Sequence, residues 1–261
     1  MSGKSRTKIR ADELVHRQGH ADSRNKAQAM ILAGEVFYRL TSNSPREVVK
    51  KAGQPLPEDV TLEVESTRNL DVGRGAQKLR GALDAWPEIQ VVGTGLDIGS
   101  STGGFTQVLL ERGASHVVAL DVGTHQLHER LRADPRVISL EQHHVLRMEE
   151  SHWRAAGYAP PFDIIVTDVS FISVTRLVST VAPWLNPGAS WIVLVKPQFE
   201  VGAKKAPGGI VKNPEYHQEA ILGVKSEIEA EGSLEWRALI ESPLKGGDGN
   251  KEFLAWIRKK I

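Results

Sequence analysis

The sequence predicts an α/β protein: a mostly parallel, seven-stranded sheet with helices on both faces, preceded by a small α+β unit. Three observations lead there. From residue 74 onward apolar strand candidates alternate with amphipathic helix candidates, the pattern of parallel strands joined by crossover helices. Runs such as "DIIV" and "WIVLV" are continuously apolar, as strands covered on both faces must be. The first 65 residues instead carry short, mixed segments, and a polar stretch separates them from the rest of the chain.

Each element has a local reason. "ADELVHRQG" reads as a helix stopped by Gly19. "SRNKAQAMILAG" reads as a second, opened by Ser23 and stopped by Gly34, with Ala27, Met30 and Ile31 on one face. "EVFYRL" and "DVTLEVES" have strand character. Residues 1–65 are thus a small unit, and "STRNLDVG" (66–73) is its linker to a large one at 74–261. In the large unit strands are expected at 91–98, 116–122, 137–140, 163–169, 190–195, 234–240 and 252–257. Helices are expected at 75–86, 104–112, 125–132, 173–185 and 214–231.

Composition narrows the function classes. With 40% hydrophobic and 25% charged residues, the chain has enough apolar material for a sizeable core. Absence of cysteine removes disulfides, thiolate metal sites and cysteine nucleophiles, and fits a reducing, cytoplasmic setting. No apolar run reaches the roughly 18 residues of a membrane span, so no membrane association is expected. The basic start, with Lys4, Arg6, Lys8 and Arg10, lacks the apolar stretch of a secretory signal. His16 and His20, like His125 and His128, have helical spacing but no carboxylate at ligand spacing, so no metal is expected.

"DIGSSTGGF", residues 97–105, comes directly after the first strand of the large unit, where open parallel sheets bind ligands. It lacks the lysine of a phosphate-binding P-loop. Compared with a dinucleotide fingerprint, Gly99 and Gly104 fit, but Ser101 stands where backbone should approach a pyrophosphate. S-adenosylmethionine (SAM) has no phosphates, and asks for a tight turn plus a carboxylate after the second strand. Asp121 in "VVALDVG", 24 residues after Asp97, meets that need.

Two charged residues close later apolar strands: Asp168 in "DIIVTDVSF" and Lys196 in "WIVLVKPQFE". The prolines that amino-group methyltransferases place after the fourth strand are missing, which points to a hydroxyl acceptor. A partly desolvated lysine can take a hydroxyl proton or stabilise an oxyanion. A structural ion pair between the two is the plain alternative.

"GRGAQKLRGALD", "DIGSSTGGFTQVLLERGA", "DVGTHQL", "TDVSFIS", "LVKPQFEVG", "GGIVKN" and "SPLKGGDGNKEFL" together resemble the hemolysin A-like (TlyA) family of FtsJ-like ribose 2′-O-methyltransferases. The resemblance implies a Rossmann-like SAM-dependent methyltransferase domain behind an RNA-binding domain of the ribosomal protein S-four type, the alpha-L motif. The segment "RADELVHRQGHADSRNKAQAMILAGEV" resembles that motif. It implies ribosomal RNA or ribosomal subunits as partner, with no obligate protein partner visible. By motif it places a catalytic set on Lys78, Asp168, Lys196 and Glu252, with Lys196 activating the ribose hydroxyl. SAM contacts are implied along Asp97, Gly99, Ser100, Ser101, Thr102, Gly103, Gly104 and Phe105, with Asp121 and Val122 at the ribose side. The chain departs from the family at "EQHHVLRMEE", which brings His143 and His144 to the expected adenine side.

RNA binding has a warrant in the residues as well. Arg6, Lys8, Arg10, Arg17, Arg24 and Lys26 crowd the first two helices, Ser23 and Arg24 open the second, and Lys204 and Lys205 lie in a glycine-bearing segment readable as a mobile lid. The alternatives are a catalytically silent RNA-binding protein, a nicotinamide enzyme, and a cytolysin, as the family's name implies.

Overall fold

The computed structural model describes residues 8–21, 23–32, 35–41, 44–64 and 71–261. They divide into two compact units, 1–70 and 71–261. In the first, β1 (Lys8–Arg10) leads into α1 (Ala11–Arg17), followed by α2 (Arg24–Leu32), β2 (Val36–Arg39), β3 (Glu47–Val48), β4 (Pro55–Pro57) and β5 (Thr61–Val64). β1 pairs antiparallel with β4, and β2 lies between β3 and β5. Leu14, Val15, Ala27, Ile31, Val36, Leu56 and Leu62 form its core. Ser23 accepts a hydrogen bond from the Lys26 amide, 3.2 Å, which is why the second helix starts there. Arg6 and the expected stop at Gly34 lie outside the described residues.

The second unit opens with α3 (Gly75–Ala85), then β6 (Thr94–Ile98), α4 (Gly104–Arg112), β7 (His116–Leu120), α5 (Glu129–Arg132), β8 (Val137–Leu140), α6 (Glu150–Ala156) and β9 (Phe162–Thr167). It continues through α7 (Val178–Val181), β10 (Leu185–Val195), α8 (Pro197–Glu200), α9 (Pro214–Ala230), β11 (Leu234–Glu241) and β12 (Phe253–Lys259). The seven strands run β11-β12-β10-β9-β6-β7-β8, with β12 alone antiparallel to its neighbours. This is the Rossmann-like α/β architecture, a mostly parallel seven-stranded sheet, that the sequence predicts. The chain runs outward from β6 through β7 to β8, then returns to β9 on the other side, so the topological switch lies between β6 and β9.

Side-chain parity builds the two cores. Along β10, Trp191, Val193 and Val195 pack on the face covered by α7 and α9, while Ile192 and Leu194 pack on the face covered by α3 and α4. β9 divides likewise, with Ile165 on the first face and Ile164 and Val166 on the second. Each fully buried side chain of this size contributes roughly 1.5–3 kcal/mol against exposure.

Two expected helices differ from their prediction. Only Glu129–Arg132 of 125–132 is helical, because the Glu141 carboxylate accepts from the amides of His125, Gln126 and Leu127 at 2.8, 2.8 and 3.0 Å and holds them in a turn. Residues 173–185 break into a 3-10 turn at Val174–Leu177, the short α7 and a second turn at Ala182–Trp184, where Pro183 removes a donor. α6 is an addition to the expected elements: a reciprocal Glu149–His152 cap forms it, yet it buries only Trp153.

Candidate active site

The same parity positions the charged residues. Val166 and Leu194 face α3, so two residues later Asp168 and Lys196 leave β9 and β10 toward that side; Glu252, two before Leu254, does so from β12. α3 brings Lys78 to them. Lys196 Nζ lies 2.6 Å from Asp168 Oδ1, and Lys78 Nζ donates to Glu252 Oε2 at 2.6 Å. Lys78, Lys196 and Glu252 are all buried, so each lysine is paired with a carboxylate where solvent cannot serve. Lys196 also donates to Ser170 Oγ at 2.9 Å. Asp168 Oδ1 meets the ammonium off the line of a hydrogen bond and has no hydrogen-bond partner among the described residues. The sequence-derived pair and the two residues implied by resemblance are therefore one cluster.

The glycine-rich turn faces it. Gly99 has φ of 81°, and a Cβ there would come within 2.4 Å of the Asp168 carbonyl oxygen, so the β6 and β9 termini can close together only with glycine at this point. A Cβ on Gly104 would meet the Ala76 amide at 2.7 Å, so this glycine lets α3 and α4 touch. Asp121 accepts from the Ser101 amide (2.8 Å) through one oxygen and the Gly123 amide (2.7 Å) through the other, which fixes both carboxylate oxygens at the edge of the hollow.

Three adjoining hollows open at these strand ends. One, of about 470 Å³, is lined by Gly99, Ser101, Asp121, Val122, His143 and Asp168 among others. A second, about 380 Å³, is bordered by Gly73–Gly75, Ser100, Thr102, Gly104, Phe105, Lys78 and Lys196. The third, about 480 Å³, holds Lys78, Lys196, Glu252, Gln198, Phe199 and Phe171. All three include Ser170 in their walls.

Two of the expected cofactor residues do not line these walls. Gly103 is turned toward Leu127 and Leu131. Asp97 is fully buried; its Oδ2 accepts from the Thr106 amide and hydroxyl at 2.8 and 2.7 Å, and its Oδ1 has no partner among the described residues. Burial, opposed by the Thr106 hydrogen bonds and reinforced by Asp168 and Asp121, pushes its carboxyl up to about 7. Its place is beneath the turn, anchoring α4. His144 caps the 3-10 turn Val145–Arg147, accepting from the Leu146 amide, and His143 packs edge-on against His152.

Other contributors lie in the turns after β9 and β10. Phe171 is 91% exposed with φ of 66°, its ring 5.4 Å from that of Phe199. Glu200 accepts from Ser173 Oγ (2.5 Å) and the Val174 amide (2.9 Å), tying the turn after β10 to the loop after β9. The segment anticipated as a mobile lid runs through 3-10 turns at Ala203–Lys205 and Pro207–Gly209; Asn250 accepts from the Val211 amide and donates to the Gly209 carbonyl, and Lys205 pairs with Glu219. In the first unit Arg10, Arg24 and Gln28 converge on the buried Asp12, while Arg17 pairs with Glu13 and Glu58. Lys8, Lys26 and Lys204 are exposed.

An FtsJ-like methyltransferase family model matches residues 72–259, nearly all of the second unit. The chain belongs to the FtsJ-like methyltransferase family. Among relatives of this family member, the 16S/23S rRNA (cytidine-2′-O)-methyltransferase TlyA of Mycobacterium tuberculosis is 39% identical, over 96% of this chain and 90% of the relative. Hemolysin A of Brachyspira hyodysenteriae is 37% identical over 95% and 98%. A solved structure of a hemolysin-named protein from Streptococcus thermophilus superposes with TM-score 0.69 at 34% identity, covering 98% of this chain and 90% of that one. FtsJ-like membership thus coincides with the lysine–carboxylate cluster and the glycine turn, both within the matched span.

Proposed function

We propose that this chain transfers a methyl group from SAM to the ribose 2′-hydroxyl of a cytidine in ribosomal RNA, with Lys196 activating the hydroxyl. The observation that carries the reading is the pairing of Lys196 with Asp168 and Lys78 with Glu252 beside a carboxylate-edged hollow at the switch point. The fit to SAM rests on that hollow: Asp121 offers fixed acceptors to ribose hydroxyls, apolar Val122, Leu120 and Val145 offer walls to adenine, and Gly99 offers backbone. When bound, SAM supplies a methyl group on a sulfonium, open to attack by an oxygen nucleophile. As a neutral amine, Lys196 would accept the proton of the 2′-hydroxyl at Nζ and become the ammonium while the carbon–oxygen bond forms and the methyl–sulfur bond breaks. Asp168 balances the ammonium, and Ser170 fixes its direction. The Lys78–Glu252 pair keeps the flank of the site polar without leaving a net charge.

In this reading residues 1–65 form the alpha-L type RNA-binding domain. Its supports are the arginines gathered on Asp12 and the exposed Lys8 and Lys26, cations that attract phosphate in a salt-dependent way. A cytolytic reading has less behind it: no helix among the described residues is long and apolar enough to cross a membrane, and Hemolysin A is similar over 95% of a chain whose second unit is matched by a methyltransferase family. Transfer of labelled methyl from SAM to intact ribosomal subunits tests the proposal. Wild-type protein should incorporate label into 2′-O-methylcytidine, and Lys196→Ala should bind SAM but transfer at least about a hundredfold more slowly. Undiminished transfer by Lys196→Ala would remove the role assigned to that lysine.

A further inference from the structure

Ser170 lies just beyond the end of β9, is exposed, and borders all three hollows at the strand ends. Its Oγ accepts from Lys196 Nζ at 2.9 Å. A hydroxyl that accepts one hydrogen bond still has its own proton to give. Among the described residues nothing takes that proton, whereas the nearby Ser173 gives its own to Glu200 at 2.5 Å. Two of the hollows thus hold an amine and a free hydroxyl donor side by side, one hydrogen bond apart. Ribose carries a matching pair: its 2′- and 3′-oxygens sit on adjacent ring carbons, about one hydrogen-bond length from each other. Within an RNA strand the 2′-hydroxyl can donate, while the 3′-oxygen is esterified and can only accept.

We infer that Ser170 binds the acceptor ribose, donating a hydrogen bond to its 3′-oxygen while Lys196 faces the 2′-hydroxyl. The inference rests on the ribose-methylation reading above and adds a second point of contact to it. A single contact leaves the sugar free to swing about Lys196; holding two neighbouring oxygens fixes how the 2′-oxygen is aimed, which is the share of the barrier that orientation supplies. Asp168, with Oδ1 2.6 Å from Nζ, cannot serve the 3′-oxygen, because an ionised carboxylate only accepts. The backbone around Ser170 is held on both sides. Before it the Asp168 amide donates to the Ile98 carbonyl at 2.9 Å, and after it Glu200 accepts from Ser173 and the Val174 amide.

The test uses the full chain with S-adenosylhomocysteine present and compares binding of cytidine and 3′-deoxycytidine by protein NMR titration. Wild type should bind cytidine about fivefold more tightly than the analogue without the 3′-oxygen. Ser170→Ala should bind the two equally, whereas Ser170→Thr, which keeps the hydroxyl, should keep the ratio. On intact ribosomal subunits Ser170→Ala should lower kcat/KM at least about fivefold, and Ser170→Thr should restore most of it. S-adenosylhomocysteine affinity in all three proteins reports that the fold and cofactor hollow are intact. A serine that served only to hold Lys196 would give wild type no preference between the nucleosides. Equal binding of the two by wild type, no binding of either, a ratio surviving in Ser170→Ala, or wild-type kcat/KM in Ser170→Ala overturns the inference. Failure of the broader reading is separate and visible elsewhere, as absence of methyl transfer to ribosomal subunits by the wild-type protein.

Discussion

Lys78 and Glu252, 174 positions apart in the chain, meet at 2.6 Å in a buried ion pair that joins α3 to the start of β12. The pair has a structural consequence and, in the proposed function, a catalytic one, and the two can be separated. Removing one partner strands a buried charge, for which about 3–5 kcal/mol is the usual loss, whereas replacing both by apolar groups is often close to neutral. Glu252→Leu and Lys78→Met should each lower stability by that amount, and the double variant should recover most of it while staying inactive. Denaturant unfolding of the three proteins reads this directly; additive losses in the double variant would show that the two side chains are not coupled.

Asp97 gives a pH dependence whose sign comes from its burial. Its folded-state carboxyl is pushed up from the ordinary 3.8 to about 7, so the folded chain binds the proton more tightly than the unfolded chain. The stabilisation this confers is fully present below pH about 4 and is lost as pH rises through about 7. Asp97→Asn keeps an acceptor for Thr106 and removes the titration. The wild-type melting temperature should therefore fall relative to that of Asp97→Asn between about pH 5 and 8. Parallel melting curves across that range would mean that Asp97 titrates normally.

Much of the site was legible because parallel strands carry their chemistry at their carboxyl ends. Asp168 and Lys196 each closed an apolar run, and Asp121 sat one strand after the glycine turn, so spacing alone placed three residues. Glu252 needed family resemblance at first, yet parity supplied a signal: Leu254 and Trp256 face α3, so Glu252 must as well. Lys78 had no such signal, because a lysine on an amphipathic helix reads as solvated until the partner strand is known. Asp97 lies off the walls of the hollows for a related reason. It opens the glycine motif, but in β6 its side chain alternates to the opposite face from Leu96 and Ile98 and ends beneath α4, outside the hollows. The contacts of Glu200 depend on a turn whose shape no periodicity encodes.

Glu200 clamps that turn, and the clamp should be kinetic in effect. Burial raises its carboxyl pKa, opposed by hydrogen bonds from Ser173 and Val174. Its charged form is the one that accepts both bonds, so the loop bearing Ser170 and Phe171 should loosen as pH falls toward the raised value. Glu200→Gln should lower kcat several-fold with little change in SAM affinity, and should remove the part of the acid limb of the rate profile that belongs to Glu200. If the variant shows an unaltered acid limb together with wild-type kcat, the clamp has no bearing on turnover.

Asp12 makes the corresponding prediction for the first unit. It is wholly buried yet accepts from Arg10 at 2.9 Å, Arg24 at 3.3 Å and Gln28 at 2.8 Å, and the Arg10 hydrogen bonds hold its carboxyl far below the usual range. A depressed carboxyl stabilises the fold above its unfolded value near 3.8 and loses that effect only as pH falls toward the depressed one, so the contribution is complete at neutral pH. The arginines are about half exposed, so the carboxylate aims them without consuming their outward donors. Asp12→Ala should therefore destabilise this unit by on the order of 1–3 kcal/mol and release both guanidinium groups from their fixed direction. Affinity for ribosomal subunits should fall, and the loss should show as a raised KM for subunits at unchanged KM for SAM. Arg24→Ala, which leaves Asp12 with Arg10 and Gln28, should weaken subunit binding with less effect on stability and reduce the salt slope by about one unit. Unchanged salt slopes in both variants would place the RNA contacts elsewhere than on this arginine pair.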